Sequence, residues 1–317
     1  MSQLSSAPGL RALGAIFVLS IAFAAHSADT LAVRMNGEWL DWWSTDHAPA
    51  QWNAPLPLLA SAVQWHPGSR GIEWGEAELS SSGEGWRTRL IVVRIDPREQ
   101  RFVLQLAQGA TFTPSWTLDL AGDTTAVAVN AEAFKHAQPW GWLVDRGFEL
   151  APPGVGPLSM AILMDSSGGA RLVPADSINA ARRAGGIAYA FQAYPTLLDG
   201  NGVIPKPIFR SGLGVNLKHR DSRVALGELR DGHLLIVMTR FDALGDVASS
   251  VPLGFTLREM AALMGALGCK RAVSLDGGIS SQLQALEADG NLREWPGWRR
   301  VPLGLLVLAR PIAAGSR

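Results

Sequence analysis

Leu275-Asp276-Gly277-Gly278-Ile279-Ser280-Ser281, near the carboxyl end of the chain, is the most informative segment of this sequence. The apolar run from Ala272 to Leu275 predicts a strand that ends at the carboxylate of Asp276. The two glycines permit backbone angles and close approaches that side chains would block. Successive amides in such a loop can face phosphate oxygens, so the segment suits an anionic sugar derivative. The alternative is an ordinary turn in which Asp276 bonds its own downstream amides.

A helix is predicted immediately upstream of this strand. Thr256-Leu257-Arg258-Glu259 has the spacing of a capping box, Phe255 and Met260 are placed as a hydrophobic staple, and Gly268 predicts the C-terminal end. Apolar residues recur at helical spacing between these ends, at Leu257, Met260, Ala261, Met264 and Leu267. One face of the helix is therefore expected to pack on the sheet that the next segment enters.

Short β-rich runs separated by turn residues occupy most of the chain. Thr88 to Ile95 and Arg101 to Ala107 are predicted to pair across Asp96-Pro97-Arg98-Glu99, and Thr125 to Asn130 is a further strand. Two hairpins are predicted, Ser159 to Asp165 with Ala170 to Val173, and Arg223 to Leu229 with His233 to Thr239. Many strands and few long helices indicate an α+β fold, with a mixed, largely antiparallel β-sheet core and flanking helices in a single main domain.

The N-terminal region has the order of a secretory signal. Arg11 precedes an apolar run from Ala12 to Ala25, and small residues continue through Ala28. The run is short for a membrane span, so residues 1–28 are predicted to be a signal peptide, with no stable span after cleavage and a periplasmic or secreted product. An uncleaved anchor is the alternative. Residues 29–69 are predicted to form a Trp- and Pro-rich lead segment, and residues 70–312 the main domain.

The tryptophans of the lead segment have two interpretations. Packing over the domain surface is favoured for so many large apolar side chains, and stacking on sugar rings is the alternative. These residues are Trp39, Trp42, Trp43, Trp52 and Trp65.

Charge and cysteine content exclude some classes of function. The chain has 28 basic and 28 acidic residues, which gives no electrostatic case for nucleic-acid binding. Cys269 is the single cysteine, so an internal disulfide is excluded. Its position between a predicted helix and a predicted strand favours a buried apolar filler over a nucleophile. Oligomeric state is not predicted by this sequence.

Four segments resemble the phosphodiester glycosidase family and occur along the chain in the same order as in that family. The family includes mannose 6-phosphate uncovering enzyme-like domains and bacterial exopolysaccharide-associated proteins. The segment Ser274 to Ser281 is similar to the family's Asn-Leu-Asp-Gly-Gly-Gly-Ser-Ser, with Ser274 and Ile279 as the differences. The other matches are Gly254 to Ala261, Arg223 to Gly227 and Pro195 to Gly200. A weaker match runs from Asn130 to Phe134, where Ala131 and Glu132 replace two glycines. The resemblance extends from about Gly71 to Ala309.

This resemblance implies hydrolysis of a sugar 1-phosphodiester at the anomeric carbon, which releases the sugar and a phosphomonoester. Such a reaction needs a carboxylate that handles protons or stabilises an oxocarbenium-like centre, and donors that hold the phosphate charge. A glycosyl-phosphate or polysaccharide substrate, in cell-surface polysaccharide metabolism, follows as the expectation. The competing hypothesis is a non-catalytic envelope protein that keeps the family fold and binds polysaccharide. A serine hydrolase or phosphatase that attacks phosphorus is the weaker third hypothesis.

The resemblance places the candidate catalytic carboxylate at Asp276. Glu132, which departs from the family pattern, is a more speculative second one. The predicted substrate-binding residues are Asn130, Arg223, Thr256, Gly277, Gly278, Ser280 and Ser281. Each has a plainer alternative: a turn or cap for Asn130, Ser280 and Ser281, a solvated strand position for Arg223, a helix N-cap for Thr256 and an exposed loop for Glu132.

Other constellations of catalytic residues are absent from the sequence. It contains no Gly-x-Ser-x-Gly elbow, no Walker phosphate loop and no spaced Cys or His pair for zinc. No metal site or cofactor is therefore predicted with certainty. An oxygen-ligated Ca²⁺ or Mg²⁺ at Asp276 stays open, because such sites take ligands that are scattered through a sequence.

Overall fold

The structure is a computed structural model that describes residues 29–81, 87–107, 112–131, 134–135, 138–209, 216, 219–241 and 253–311. The predicted signal peptide and the candidate carboxylate Glu132 lie outside these residues. No helix in the described ranges combines the length and apolar character that crossing a membrane requires.

Strands dominate the described part of the chain, and helices are few. In chain order the strands are β1 (Thr30–Met35), β2 (Glu38–Ser44), β3 (Gln64–Pro67), β4 (Ile72–Ser81), β5 (Thr88–Ile95), β6 (Gln100–Leu106), β7 (Val127–Asn130), β8 (Phe134–Lys135), β9 (Gln138–Pro139), β10 (Leu143–Asp145), β11 (Phe148–Ala151), β12 (Met160–Asp165), β13 (Ala170–Pro174), β14 (Ile187–Ala193), β15 (Thr196–Asp199), β16 (Arg223–Leu229), β17 (Leu234–Phe241), β18 (Cys269–Ser274), β19 (Leu283–Leu286), β20 (Leu292–Trp295) and β21 (Leu303–Ala309). The helices are α1 (Pro57–Ala62), α2 (Ile178–Ala184) and α3 (Leu257–Ala266).

The strands form one nine-stranded sheet, two five-stranded sheets and a small hairpin of β8 and β9. The large sheet has the order β15-β18-β16-β17-β5-β4-β1-β2, with β3 paired to β4, and every pair in it is antiparallel. The five-stranded sheets have the orders β11-β10-β14-β12-β13 and β20-β19-β7-β21-β6. The predicted antiparallel core in a single domain is confirmed, whereas the α+β class overstated the helices.

Both faces of the large sheet are covered at its central strands β5, β16, β17 and β18, which explains the long apolar runs in those strands. Side chains alternate across each strand, so Val224 and Leu226 of β16 enter a central core with β7 and β19, and Ala225 between them faces the other way. All eight residues of β17 are buried. The site-bearing strands β16 and β18 therefore lie between two packed layers and leave little freedom to their ends.

Helix α3 covers the second face of the sheet as its sequence predicts. Its capping box is complete, because the Thr256 hydroxyl accepts from the Glu259 amide at 3.2 Å and the Glu259 carboxylate accepts from the Thr256 amide at 2.7 Å. Gly268 has a φ of +94° and ends the helical run, as predicted. Cys269 follows at once and is fully buried, which raises the pKa of its thiol and supports the filler interpretation.

The predicted hairpins differ in their outcome. β12 pairs with β13 and β16 pairs with β17, as expected. The predicted pairing of Thr88 to Ile95 with Arg101 to Ala107 is wrong, because β5 pairs with β4 and β17 while β6 pairs with β21 in another sheet. The Asp96 turn is real, yet it carries the chain from one sheet to the next, and turn composition alone does not distinguish these two geometries.

The lead segment contributes strands to the large sheet. β1 pairs with β2 and β4, and β3 pairs with β4, so a segment without clear periodicity in sequence is ordered by tertiary pairing. Trp43 and Trp52 are buried in the core beneath α3, as the packing interpretation predicts. Trp39 and Trp65 remain substantially exposed.

Trp52 and Gly265 form the contact that joins the lead segment to α3. A Cβ atom on Gly265 would overlap the Trp52 indole, so the helix needs glycine at this point. We predict that Gly265→Ala lowers the free energy of unfolding by about 1–3 kcal/mol, because an extra methyl group overpacks the site. Urea denaturation of the purified protein measures this change.

The Trp52→Ala background provides the control for that prediction. There the overlap is gone, and Gly265→Ala should become stabilising by roughly 0.5–1 kcal/mol because alanine favours a helix interior over glycine. An equal loss of stability in both backgrounds would show that the indole is not the cause.

Candidate active site

The candidate site lies where strands of two different sheets end side by side. β18 delivers Asp276, β16 begins at Arg223, and β7 of the third sheet ends at Asn130. The Leu275 amide donates to the Val224 carbonyl at 2.8 Å, which continues the β16–β18 pairing as far as Asp276. Strand pairing therefore brings Asp276 beside Arg223.

Asn130 fastens the Asp276 loop to the third sheet. Its side-chain amide donates to the Asp276 carbonyl at 2.7 Å, and its side-chain oxygen accepts from the Gln282 amide at 2.9 Å. The residue is fully buried. Both sides of the carboxamide are thus used to hold the loop, which makes Asn130 a positioning residue in this structure.

The carboxylate of Asp276 is largely removed from water. Burial raises its pKa above the usual value, and the nearby Asp221 raises it further, while the Ser280 hydroxyl, the Arg299 charge and the Gly277 amide act in the opposite direction. A carboxyl group that is partly buried, supplied with donors and close to a second carboxylate has the properties of a proton-transfer residue.

Asp221 is the second carboxylate at this site, and no motif in the sequence pointed to it. Burial raises the pKa of Asp221 too, against the lowering effects of Arg223, His219 and the Ser222 amide. His219 Nε2 lies 3.2 Å from Asp221 Oδ2. The polar run of residues 219–222 just before β16 was the available signal, since such a run at the start of a buried strand lies at the sheet edge.

The two glycines permit Asp221 and the Asp276 loop to approach each other. The Gly278 amide donates to the Ser222 carbonyl at 2.8 Å, and a Cβ on Gly278 would lie 2.8 Å from Asp221 Oδ2. A Cβ on Gly277 would lie 2.6 Å from the Ser222 carbonyl oxygen. The predicted close approach at Gly277 and Gly278 is therefore a contact with the segment before β16.

Arg223 is anchored to the backbone on two sides. Its guanidinium donates to the Phe255 carbonyl at 2.8 Å and to the His219 carbonyl, and burial lowers its pKa from the usual value. It stands beside Asp221 and Glu259, whose charges oppose that effect. The cation whose charge lowers the pKa of Asp276 is instead Arg299, an exposed residue that the sequence did not single out.

The remaining predicted residues divide between the loop and the helix. Ser280 is buried and bonded to the Asp276 carboxylate. Ser281 is also buried, and within the described part of the chain its hydroxyl oxygen has no hydrogen-bond partner. Thr256 is the N-cap of α3, and its neighbour Phe255 bonds Arg223 through its carbonyl. The substrate roles of these residues stay predictions.

The oxygen atoms at this site are the possible ligands of a metal ion. Asp221, Asp276 and Ser280 offer the oxygen ligands that Ca²⁺ and Mg²⁺ prefer. Among the described residues, however, no three His, Cys, Asp or Glu side chains lie close enough together to hold a metal ion. A cation at Asp276 would need hydroxyl, carbonyl or water ligands beside these two carboxylates, and it stays a prediction.

Comparison with known proteins gives a family and a fold. A family model described as phosphodiester glycosidase matches residues 123–308. The catalytic domain of the zebrafish N-acetylglucosamine-1-phosphodiester alpha-N-acetylglucosaminidase, auto-inhibited by its pro-peptide, has 13% sequence identity and a TM-score of 0.57, over 84% of this chain and 92% of that one. A hypothetical protein from Synechocystis has 17% identity and a TM-score of 0.53, over 89% and 68%. No curated protein matches in sequence.

Gly278 is the position where the site geometry can be tested through stability. Its φ is +64°, and a side chain there would press on the Asp221 carboxylate. We predict that Gly278→Ala costs about 2–4 kcal/mol of unfolding free energy, because left-handed strain and overpacking add. Chemical denaturation measures the loss.

Gly290→Ala is the matched control, because Gly290 has a φ of +89° and a Cβ atom added to it would meet nothing within 4 Å. It should show the backbone strain alone, at about 1–2 kcal/mol. Equal losses for the two variants would contradict the close contact between Gly278 and Asp221.

Proposed function

The chain belongs to the phosphodiester glycosidase family, and we propose that it hydrolyses a sugar 1-phosphodiester at the anomeric carbon, with Asp276 and Asp221 as the reacting carboxylates. The family supports hydrolysis of phosphodiester-linked sugars. The position of the bond that breaks, the two residue roles and the biological substrate are our proposal.

The observation that carries the proposal is the pair of carboxyl groups whose pKa values are both raised. Burial is the main cause of both shifts, and the charge of Asp221 raises the pKa of Asp276 further. We propose that the two carboxyl groups work with one proton between them. One member can then accept a proton from water while the other donates one. Glycosidases commonly divide the work of hydrolysis between two carboxyl groups in this way.

The reaction balances without a further reactant. Water forms a bond to the anomeric carbon, the bond from that carbon to the phosphate oxygen breaks, and the products are a sugar hydroxyl and a phosphomonoester. Asp276 takes the proton that water loses. Asp221 gives its proton to the departing phosphate. The Arg299 guanidinium, whose charge acts on Asp276, offsets the negative charge of this phosphate.

The setting in which this reaction takes place follows from the N-terminal sequence. Residues 1–28 have the features of a secretory signal, so we propose action outside the cytoplasm, on cell-surface polysaccharide or a precursor of it. The zebrafish protein's name states an N-acetylglucosamine 1-phosphodiester substrate. That diester therefore belongs in the first panel of glycosyl 1-phosphodiesters assayed, beside the glucose and mannose equivalents.

We predict that Asp276→Asn abolishes sugar release from this panel while the fold is retained. In the parent protein the pKa of Asp276 is raised by folding, so the ionised carboxylate lowers the free energy of unfolding above that pKa. Below the usual pKa of 3.8 the carboxyl group is protonated in both the folded and the unfolded state, and this cost is absent. The variant should accordingly be more stable than the parent at neutral pH and equal to it in acid. Reducing-sugar assays and denaturation at several pH values measure both effects.

Water labelled with ¹⁸O identifies the bond that breaks. A phosphate product without label supports attack at carbon, and label in the phosphate product would contradict the glycosidase mechanism and favour attack at phosphorus. The phosphate is the product analysed, because a free sugar exchanges its anomeric oxygen with water. Full turnover by Asp276→Asn would remove Asp276 from the mechanism. Saturable binding of the panel by the parent without any turnover would favour the polysaccharide-binding alternative.

The pH profile tests Asp221. A pair that works with one shared proton gives a bell-shaped profile, and Asp221→Asn should lose the alkaline limb because asparagine has no proton to give up in that range. The rate at the optimum should fall by less than the roughly 10²–10⁴-fold typical of a positioned acid, because phosphate is already a good leaving group.

Asp119→Asn provides the control, since Asp119 is an exposed carboxylate on a turn outside the site. Its profile should coincide with that of the parent. An unchanged alkaline limb in Asp221→Asn would show that another group supplies the proton.

A further inference from the structure

A concave surface lies at the far end of β16, the strand that begins beside the candidate site. It is a cleft of about 510 Å³, and its lining includes Trp65, Glu73, Arg94, Leu229, Asp231 and Leu235. β16 begins at Arg223 beside Asp276 and ends at Leu229 in this cleft. With a rise of about 3.4 Å per residue, the two surfaces are on the order of 20 Å apart, so the cleft is not part of the candidate active site.

The floor of the cleft is apolar at the end of helix α3, where the partly buried Leu229 and Leu267 pack against the core that contains Val92 and Leu235. Helix α3 ends at Ala266, and Gly268 turns the chain back into the sheet. Beyond that turn, Val92 and Leu235 of the large sheet line the cleft, and Leu267 closes one side. An apolar floor in a concave surface is the general form of a small-ligand site.

Trp65 forms a fixed aromatic wall. It lies directly opposite Gly75 in the β3–β4 pairing, and a Cβ on Gly75 would stand 3.3 Å from Trp65 Cδ2 and 2.6 Å from Val63 Cγ1. The absence of a side chain at Gly75 therefore gives the indole space against the strand. Trp65 is nevertheless 42% exposed, which is unusual for a large aromatic residue that lines a cleft.

The charged groups at the rim balance each other. Arg94 donates to Glu73 at 3.1 Å and to Asp231 at 2.6 Å, and Arg230 donates to the Trp52 carbonyl. Two cations and two anions give the rim no net charge, so it does not select an anion such as phosphate. The carboxylates of Glu73 and Asp231 are about half exposed, and they keep free acceptor positions for hydroxyl groups.

We propose that this cleft binds a neutral sugar ring of an oligosaccharide, with the ring against Trp65 and its hydroxyl groups on Glu73, Arg94 and Asp231. A pyranose ring has an apolar face and a polar edge, which match the aromatic wall and the balanced rim. Binding here does not depend on hydrolysis at Asp276.

Isothermal titration calorimetry with three neutral probes, maltohexaose, cellohexaose and mannohexaose, tests this site. At least one probe should bind the parent protein, and Trp65→Ala should weaken it by about tenfold or more, as the loss of an aromatic contact implies. Trp39→Ala is the matched control, because Trp39 is 43% exposed and lies outside the cleft lining. It should bind as the parent does.

Leu229→Trp keeps the test valid if Trp65→Ala fails to fold. Leu229 is partly exposed at the cleft, so a larger side chain there fills the space while Trp65 stays in place, and binding should be lost. Asp276→Asn should bind the probe normally, which separates this site from the catalytic one.

Three results would overturn the proposal. The first is that no probe binds up to its solubility limit. The second is that a folded Trp65→Ala or Leu229→Trp protein binds the probe as the parent does. The third is that inorganic phosphate displaces the probe. In each case Trp65 would be a structural cover for Gly75 only. Sugar release from phosphodiesters is measured separately, so failure of either proposal leaves the other standing.

Discussion

The buried carboxylate of Glu259 is the group on which the geometry of the candidate site depends. It is 1% exposed, it accepts the Thr256 amide at the start of α3, and it forms a two-point ion pair with Arg220 at 2.7 and 3.0 Å. A buried carboxylate left without a partner costs several kcal/mol, so the segment that carries Arg220 must lie against the helix start. Asp221 and Arg223 belong to that segment. The ion pair of Arg220 and Glu259 thus helps to set the positions of Asp221 and Arg223 beside Asp276.

Local sequence patterns predicted the elements around the loop well. The capping box at Thr256, the strand that leads to Asp276 and the hairpin of β16 and β17 each depend on residues close together in sequence, and each is present. The wrong prediction that β5 pairs with β6 has a different cause. Their turn is consistent with a hairpin and with a crossing between sheets, and only the packing of distant strands decides between these.

The candidate site was predicted in part for the same reason. Asp276 and its glycines are marked by composition, whereas Asp221 joins them through the β16–β18 register and the contact with Gly278, which no spacing in the sequence encodes. Asn130 was expected at a strand end, and it is there. Its side chain, however, is committed to the backbone of Asp276 and Gln282, a pairing between residues far apart in the chain.

Helix α3 reaches from one proposed surface to the other. Its first turn holds the segment that bears Asp221, and Leu267 and Gly268, which follow its last residue, border the cleft of Trp65. Ten residues at 1.5 Å each make a rigid spacer of about 15 Å. If both proposals hold, a short glycan occupies only one surface, whereas a chain long enough to span the helix engages both and gains in effective concentration at Asp276. The rate of sugar release would then depend on the length of the polymer.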